Sequence, residues 1–207
     1  MMATVHLIDD DQGMRTAIGR LLGAAGYEVH TYAAAGDYLL PAAGDEPGCL
    51  LLDLNLPGAS GLDLQAALRR HPAYQRPIIF MSGTTDIAAS VRAMHAGARD
   101  FLTKPVERSV LLAAVEDAVA CDARQRESRA RSQFVRKRLE SLSDREHKVL
   151  KGIAAGTLHK KIAADLGISE RTVKADRGRI MERLGVRTLP DLLKLLLETH
   201  SGDSPPE

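Results

Sequence analysis

Short apolar runs alternate with amphipathic helical patterns along the first 120 residues. The apolar runs, which are typical of buried parallel strands, occupy 4–8, 27–31, 49–53, 77–82 and 100–103. Apolar residues recur with helical spacing near 12–25, 34–42, 61–70, 85–96 and 108–120. Turn residues such as Gly26, Gly44 and Pro57-Gly58 separate these segments. Five strand–helix units in succession predict an α/β fold with a doubly wound, five-stranded parallel sheet.

The second half of the chain shows helical patterns only. Between 121 and 140 the sequence is rich in Arg and lacks Gly and Pro, which predicts a polar, solvated continuation of the fifth helix. Its apolar positions are too few for a strong coiled coil. We therefore divide the chain into a first domain at 1–120, a helical linker at 121–140, an all-α domain at 141–200 and a disordered polar tail at 201–207.

Helix boundaries are marked clearly within the all-α domain. Ser143 stands three residues before Glu146, the spacing of a capping box at a helix start. Gly156 and Gly167 are typical of helix ends, and Ser169 opens another helix that runs to about Leu184. A last helix is expected at about 189–199. The pattern indicates a unit of three or four short helices.

The two halves carry opposite net charges, although the whole chain has a net charge of only +1. Residues 1–120 contain 9 Lys and Arg against 14 Asp and Glu, whereas 121–207 contain 19 against 13. Unless it arises by chance, this split indicates a cationic partner for the first half and an anionic partner for the second. No apolar stretch reaches the roughly 18–20 residues of a membrane span. With no signal peptide pattern and two unpaired-looking cysteines, we expect a reduced, cytoplasmic protein without a membrane partner.

Carboxylates follow two of the predicted strands. Asp9 and Asp10 come directly after the first strand, and Asp53 ends the third. Because parallel strands end at one edge of a sheet, we expect these side chains to meet there. At 4 Å and an effective dielectric near 20, each carboxylate pair costs roughly 4 kcal/mol, so the cluster calls for a cation. Oxygen ligands with room for water favour Mg²⁺ over Zn²⁺.

The residues that end the other strands suit phosphoryl transfer. Ser82 closes the fourth strand and Lys104 follows the fifth, and an ammonium group beside a metal neutralises phosphoryl oxygens. A carboxylate can act as the nucleophile, so we expect Asp53 to form an acyl phosphate that pairs with Lys104. Asp10 would bind the metal directly and Asp9 through water. The expected metal ligands are Asp9, Asp10, Asp53 and the backbone carbonyl of Asn55.

Each of these residues also has a simpler interpretation when it is taken alone. An acidic triplet after a strand is often the N-cap of the next helix. Ser82 alone is typical of a turn, and Phe101 alone is typical of a core. The simpler interpretations weaken when carboxylates, hydroxyl and ammonium close successive strands in this order.

The same residues lie in motifs that resemble a response-regulator receiver domain. The motifs are Leu7-Ile8-Asp9-Asp10-Asp11, Leu52-Asp53-Leu54-Asn55-Leu56-Pro57-Gly58, Met81-Ser82-Gly83 and Phe101-Leu102-Thr103-Lys104-Pro105. The resemblance spans 1–120 and implies a flavodoxin-like fold that receives a phosphoryl group on Asp53 from a sensor histidine kinase. It further implies a switch in which Ser82 moves to the phosphoryl oxygen and Phe101 turns inward. It also implies a cis Lys104-Pro105 bond.

A candidate helix-turn-helix lies in the basic half. Two helices with inward-facing apolar residues flank the turn at Gly167. This arrangement leaves Lys174, Arg177 and Arg179 outside, where cations suit phosphates and base edges in the DNA major groove. For either helix alone, a solvated basic surface is the alternative interpretation.

The stretch from 141 to 200 resembles a LuxR/NarL-type DNA-binding domain through Ser143-Asp144-Arg145-Glu146 and Arg171-Thr172-Val173-Lys174. The DNA contacts carried over by position, together with two neighbouring arginines, are Lys160, Lys161, Arg171, Thr172, Lys174, Ala175, Arg177, Gly178 and Arg179. Asp176 departs from the family, since many relatives carry His there, and Gly178 stands where some relatives carry Lys. These departures put the family's base preferences in question, and Arg177 or Arg179 could take over part of the readout.

The two domains together resemble a NarL/FixJ-family response regulator, which predicts a phosphorylation-controlled transcription factor rather than an enzyme. The implied partners are the histidine kinase, double-stranded promoter DNA, RNA polymerase and, after phosphorylation, a second copy bound through 85–103. Alternatively, phosphorylation makes the receiver domain release the basic domain. A regulator of the same fold whose Asp53 is never modified is one alternative. A magnesium-dependent phosphatase of the haloacid-dehalogenase type is another, disfavoured because Gly13 and Asn55 interrupt its acidic motif.

Overall fold

The computed structural model describes residues 2–39, 46–70, 74–83 and 86–201, with the backbone alone for 198–201. The chain splits into two compact units, Met1–Gln125 and Arg126–Glu207. Four of the sequence predictions fall partly or wholly outside the described residues: the end of the second helix at 40–42, the turn at Gly44, the start of the fourth helix at 85 and the tail from 202 onward.

A five-stranded sheet, parallel throughout, forms the centre of the first unit. Its strand order is β2-β1-β3-β4-β5. The strands are β1 (Thr4–Ile8), β2 (Glu28–Tyr32), β3 (Gly48–Asp53), β4 (Ile78–Ser82) and β5 (Asp100–Thr103). The helices are α1 (Gln12–Ala24), α2 (Ala35–Leu39), α3 (Gly61–Arg69), α4 (Ile87–His95) and α5 (Arg108–Glu140). The predicted doubly wound α/β fold is confirmed.

Apolar side chains cover both faces of this sheet, as expected when helices pack on each side. Along β3, Leu50 and Leu52 face one core, whereas Cys49 and Leu51 face the other. All five residues of β1 are buried. The edge strand β2 is only partly buried, which explains why its apolar pattern is the weakest of the five.

The second unit contains four short helices behind the end of α5. They are α6 (Asp144–Ala154), α7 (His159–Leu166), α8 (Glu170–Leu184) and α9 (Leu189–Ser201). The predicted capping box is present at the start of α6, where Ser143 accepts from the backbone N–H of Glu146 and the Glu146 side chain accepts in return. Gly167 ends α7 with φ at 65°, in the left-handed region that glycine adopts without strain.

Helix α5 is continuous through the predicted linker, but that segment is not uniformly solvated. Asp122 is fully buried and accepts a 2.8 Å hydrogen bond from the backbone N–H of Gly48. Val135 is also buried and joins the apolar core of the second unit. The expectation of a solvated helix is wrong at these two positions because each half of the segment packs against a different unit. Ser201 likewise belongs to α9 rather than to the polar tail.

No helix among the described residues is both long enough and apolar enough to cross a membrane.

Candidate functional site

Three carboxylates meet at the carboxyl edge of the sheet. Asp9 follows β1, Asp53 ends β3, and one carboxylate oxygen from each of Asp9, Asp10 and Asp53 lies within 4.8 Å of the others. The register explains the meeting, because Ile8 lies beside Leu52 in the parallel pair of β1 and β3. Asp9 and Asp53 are buried, whereas Asp10 is exposed. The cluster therefore has a closed side within the fold and an open side toward solvent.

Lys104 bridges the two buried carboxylates. Its Nζ donates to Asp9 Oδ2 at 2.7 Å and to Asp53 Oδ2 at 2.8 Å. The loss of solvent around the ammonium favours its neutral form, but the hydrogen bonds to Asp53 and Asp9 outweigh that loss and raise the pKa of Lys104. Lys104 consequently stays charged and offsets part of the negative charge of the cluster.

Backbone groups orient the acidic side chains. The N–H of Asp11 donates to Asp9 Oδ1 at 3.0 Å, and the N–H of Asn55 donates to Asp53 Oδ1 at 3.2 Å. Gly61 closes the loop after β3, where an added Cβ would lie 2.4 Å from the carbonyl oxygen of Asp53. A side chain at 61 would therefore displace the backbone that carries Asp53.

Asp11 has a different task from Asp9 and Asp10. It is the N-cap of α1 and accepts from the backbone N–H of Met14 at 3.0 Å. Hydrogen bonds from the backbone of Met14 and Gly13 hold the pKa of Asp11 below its ordinary value. Asp11 of the acidic triplet is therefore a helix N-cap, whereas Asp9 and Asp10 lie in the carboxylate cluster with Asp53. In a phosphatase-type Asp9-x-Asp11 motif, Asp11 would supply the second carboxylate. Here that carboxylate caps α1 instead.

Ser82 and Phe101 lie on the neighbouring strands. Ser82 ends β4 and is buried, and its carbonyl accepts from the backbone N–H of Lys104 at 2.7 Å. Phe101 on β5 is half-buried, with its ring 6.3 Å from that of Phe80. The Lys104-Pro105 peptide bond is cis. The structure thus brings Asp9, Asp53 and Lys104 into direct contact, while Ser82 adjoins them through the backbone.

An oxygen-only donor set suits a hard divalent cation. Asp9, Asp10 and Asp53 supply carboxylates, and the described residues put no Cys or His in this group. Carboxylates with an open, solvated side fit Mg²⁺, which keeps several of its waters.

The predicted DNA-facing residues lie on α7 and α8. Val173, Ile180 and Leu184 of α8 are buried, as the sequence predicts. Lys174, Ala175 and Gly178 share an exposed face of the same helix. The remaining exposed candidates are Lys160 and Lys161 on α7 and Arg171 at the start of α8. Thr172 is half-buried and its hydroxyl lies 2.8 Å from Ser169 Oγ, at the N-cap of α8.

Two of the arginines predicted to contact DNA have surroundings that differ from the expected ones. Arg177 is half-buried rather than exposed, because it stands one helical turn from both Val173 and Met181 on the buried side. Arg179 is exposed, but its guanidinium forms an ion pair with Asp176. Asp176 itself is fully buried, so its carboxylate does not lie on the exposed face of Lys174, Ala175 and Gly178.

The sequence pattern did not single out Arg145 as a functional residue. It lies in the first turn of α6 and forms an ion pair with Asp176, which is 31 positions away. No local pattern could reveal this pair, because it depends on how α6 packs against α8.

Family models match both units of the chain. Residues 5–116 match the response regulator receiver domain, and 140–196 match the luxR family of bacterial regulatory proteins.

Characterised relatives resemble nearly the whole chain. Nodulation protein W of Bradyrhizobium diazoefficiens is 40% identical over 193 residues, which cover 93% of this chain and 85% of that protein. Transcriptional regulatory protein FixJ of Azorhizobium caulinodans is 38% identical, with coverages of 93% and 91%. The solved structure of response regulator StyR has a TM-score of 0.83 and 39% identity, and it covers 96% of this chain and all of that one. Full-length FixJ from B. japonicum has a TM-score of 0.59 and 33% identity, with coverages of 96% and 98%.

These matches agree with the acidic edge of the sheet and with the four-helix unit that follows it. The chain therefore belongs to the FixJ-like response regulators of two-component systems, which are transcriptional regulators that join a receiver domain to a LuxR-type DNA-binding domain.

Proposed function

We propose that this regulator is switched by transfer of a phosphoryl group from a sensor histidine kinase to Asp53. The observation that carries the proposal is the Lys104 bridge between Asp9 and Asp53 at the carboxyl edge of the sheet. A partly buried ammonium that already contacts the acceptor carboxylate can pair with an incoming phosphoryl oxygen.

The chemistry at Asp53 is a displacement at phosphorus. A carboxylate oxygen of Asp53 forms the new P–O bond, the P–N bond of the phosphohistidine breaks, and the kinase histidine leaves with the bonding electron pair and takes up a proton. Lys104 neutralises oxygen charge on the transferred group. Asp9, Asp10, Asp53 and the backbone carbonyl of Asn55 would hold Mg²⁺, which would supply further neutralisation of those oxygens.

The modification adds about 1.5–2 negative charges at one edge of the sheet. Lys104 and the Ser82 hydroxyl would follow that charge, and Phe101, which lies on the strand beside that of Ser82, would turn inward. On this proposal the phosphoryl group shifts an existing equilibrium between two conformations. The protein is then a switch with a single modification site rather than an enzyme with turnover.

The face of α4 is the proposed contact between two phosphorylated copies. Ile87, Val91 and Met94 follow one another at helical spacing and are 74%, 48% and 44% exposed. An apolar stripe left in solvent on a helix is typical of an interaction surface. The stripe lies within the predicted segment at 85–103, next to β5, which carries Phe101.

The dimer would place two copies of α8 on promoter DNA, where RNA polymerase is the final partner. The proposed contacts to bases and phosphates are Lys160, Lys161, Arg171, Thr172, Lys174, Ala175, Arg177, Gly178 and Arg179. A two-fold dimer favours two half-sites of a rough palindrome.

Intact mass after incubation with a small phosphodonor and Mg²⁺ tests the switch, with Asp53→Asn beside the wild type. We expect a gain of about 80 Da, one phosphoryl group, in the wild type alone. An equal gain in both proteins would place the modification elsewhere. No gain with either the small donor or a phosphorylated kinase domain would favour a regulator that works without modification.

A further inference from the structure

A buried carboxylate on α8 holds two arginines together. Asp176 is fully buried. Arg145 donates from Nε to Asp176 Oδ2 at 2.9 Å and from Nη2 to Oδ1 at 3.3 Å. Arg179 donates from its own Nη2 to the same Oδ1. Two positive groups thus converge on one negative group, and the cluster keeps a net charge of +1.

Both guanidinium groups stay accessible to solvent. The side chains of Arg145 and Arg179 are 50% and 55% exposed, although their shared partner is fully buried. A guanidinium has five N–H donors, and the bonds to Asp176 use two from Arg145 and one from Arg179. The cluster can therefore donate further hydrogen bonds to an anion without giving up the carboxylate.

The position of the arginine cluster on α8 indicates which anion it would bind. Arg179 stands one turn beyond Ala175 on α8, and residues at this spacing are neighbours on a helix surface. The cluster consequently borders the exposed face of Lys174, Ala175 and Gly178. When a recognition helix lies in the major groove, the groups along its flank meet the phosphates at the groove edge.

We propose that Arg145 and Arg179 form a clamp for a phosphate of the DNA backbone, and that Asp176 is the positioning residue of this clamp. The proposal rests on the DNA-binding function proposed above and adds Arg145, from α6, to its contacts. Without a shared carboxylate, two guanidinium groups at this separation would repel each other. With it, both side chains are ordered before DNA arrives, so that less conformational entropy is lost on binding.

A purely structural ion pair would behave differently toward salt. A phosphate contact contributes about 0.9 to the slope of log affinity against log salt concentration, and a pair that only joins α6 to α8 contributes nothing. A carboxylate near DNA that holds no contact residue should weaken binding by repulsion, so its removal should strengthen binding. If Asp176→Asn weakens DNA binding, Asp176 is a positioning residue. If the substitution strengthens DNA binding, Asp176 only repels the DNA.

The test uses the full chain and a labelled 30-base-pair duplex of arbitrary sequence, with anisotropy measured between about 50 and 200 mM NaCl. We expect Arg145→Gln to lower the salt slope by about 1. Asp176→Asn should weaken binding several-fold although it removes a negative charge, and combining it with Arg145→Gln should give less than the product of the single effects. Asp165→Asn is the matched control, since it removes an exposed carboxylate from α7; its binding should be unchanged or tighter.

Either of two results would overturn the clamp: a wild-type slope and affinity for Arg145→Gln, or binding by Asp176→Asn that, like that of the control, is as tight as the wild type or tighter. Far-UV circular dichroism checks that each variant is folded. If Asp176→Asn is not folded, the slope for Arg145→Gln decides alone, because that side chain is half exposed. Wild-type protein that shows no salt-dependent affinity for the duplex would instead contradict the proposed DNA-binding function.

Discussion

Replacing Lys104 by Met removes the only ammonium in direct contact with two buried carboxylates among the described residues. The Asp9 side chain is fully buried and that of Asp53 is 7% exposed. At about 2.8 Å and an effective dielectric near 20, each attraction to Nζ is worth roughly 6 kcal/mol. Much of this offsets the cost of burying the charges, and loss of one partner from a buried pair typically costs about 3–5 kcal/mol. We expect Lys104→Met to destabilise the first unit by about 3 kcal/mol.

Mg²⁺ should reverse part of this loss. In the wild type, Lys104 already neutralises part of the negative charge of the carboxylates and repels a second cation. In Lys104→Met that negative charge is not neutralised, so the cluster attracts a cation more strongly. Since a ligand that binds only the folded state stabilises it by mass action, Mg²⁺ should stabilise the variant more than the wild type. The two proteins should therefore differ less in stability as the Mg²⁺ concentration rises.

Tyrosine fluorescence allows the stability of the first unit to be measured in the full chain. All four tyrosines lie between 27 and 74, and the chain has no tryptophan, so urea unfolding followed by tyrosine fluorescence reports on the first unit alone. Arg99→Met is a matched control, because it removes a cation from an exposed ion pair with Asp117 in the same unit and should change stability little. A Lys104→Met protein as stable as this control, or an equal Mg²⁺ effect on variant and wild type, would refute the reasoning.

Three further predictions concern other parts of the chain. Burial, followed by the nearby Arg76, lowers the pKa of His6 to about 4, while the unfolded chain titrates near 6.5. The unfolded state therefore binds the extra proton between these values, and stability contributed by neutral His6 falls as the pH drops through that window. Between pH 7.5 and 5 the wild type should lose up to about 2 kcal/mol more than His6→Gln in urea unfolding, and equal losses would contradict it. Ser143→Ala removes the cap of α6 and should cost about 1 kcal/mol in thermal unfolding followed by far-UV circular dichroism; an unchanged midpoint would mean that the cap contributes nothing. Val91→Asp should abolish dimers of the phosphorylated protein in light scattering while leaving its mass gain intact, and a persistent dimer would exclude the α4 stripe as the contact.

The local pattern of apolar and polar residues was sufficient to predict the strands of the sheet and the position of the acidic cluster. Each apolar run became a strand within about one residue of its predicted bounds. For β1, β3 and β4, which are buried throughout, the reason is that a strand buried on both faces needs continuous apolar sequence. Parallel strands then carry the residues after them to one edge, so Asp9, Asp53 and Lys104 could be assigned to one site although they are far apart in sequence. The capping box at Ser143 was equally visible, since both partners lie within one helical turn.

Tertiary packing decided which charged groups are buried and what they touch. The sequence assigned Asp9 and Asp10 to the predicted metal site, but it did not show that Asp11 caps α1 or that Lys104 contacts Asp9 as well as Asp53. It also presented Asp122 and Val135 as parts of a solvated linker, whereas packing buries both.

Asp176 illustrates the limit most clearly. By position it replaces a frequent histidine of the recognition helix, which suggested an altered base contact. The structure instead buries it between Arg145 and Arg179, and Arg145 comes from a different helix. Periodicity tells which face of a helix is apolar, because that depends on the helix alone. The partner of a buried charge depends on the approach of another element, so only the folded chain determines it.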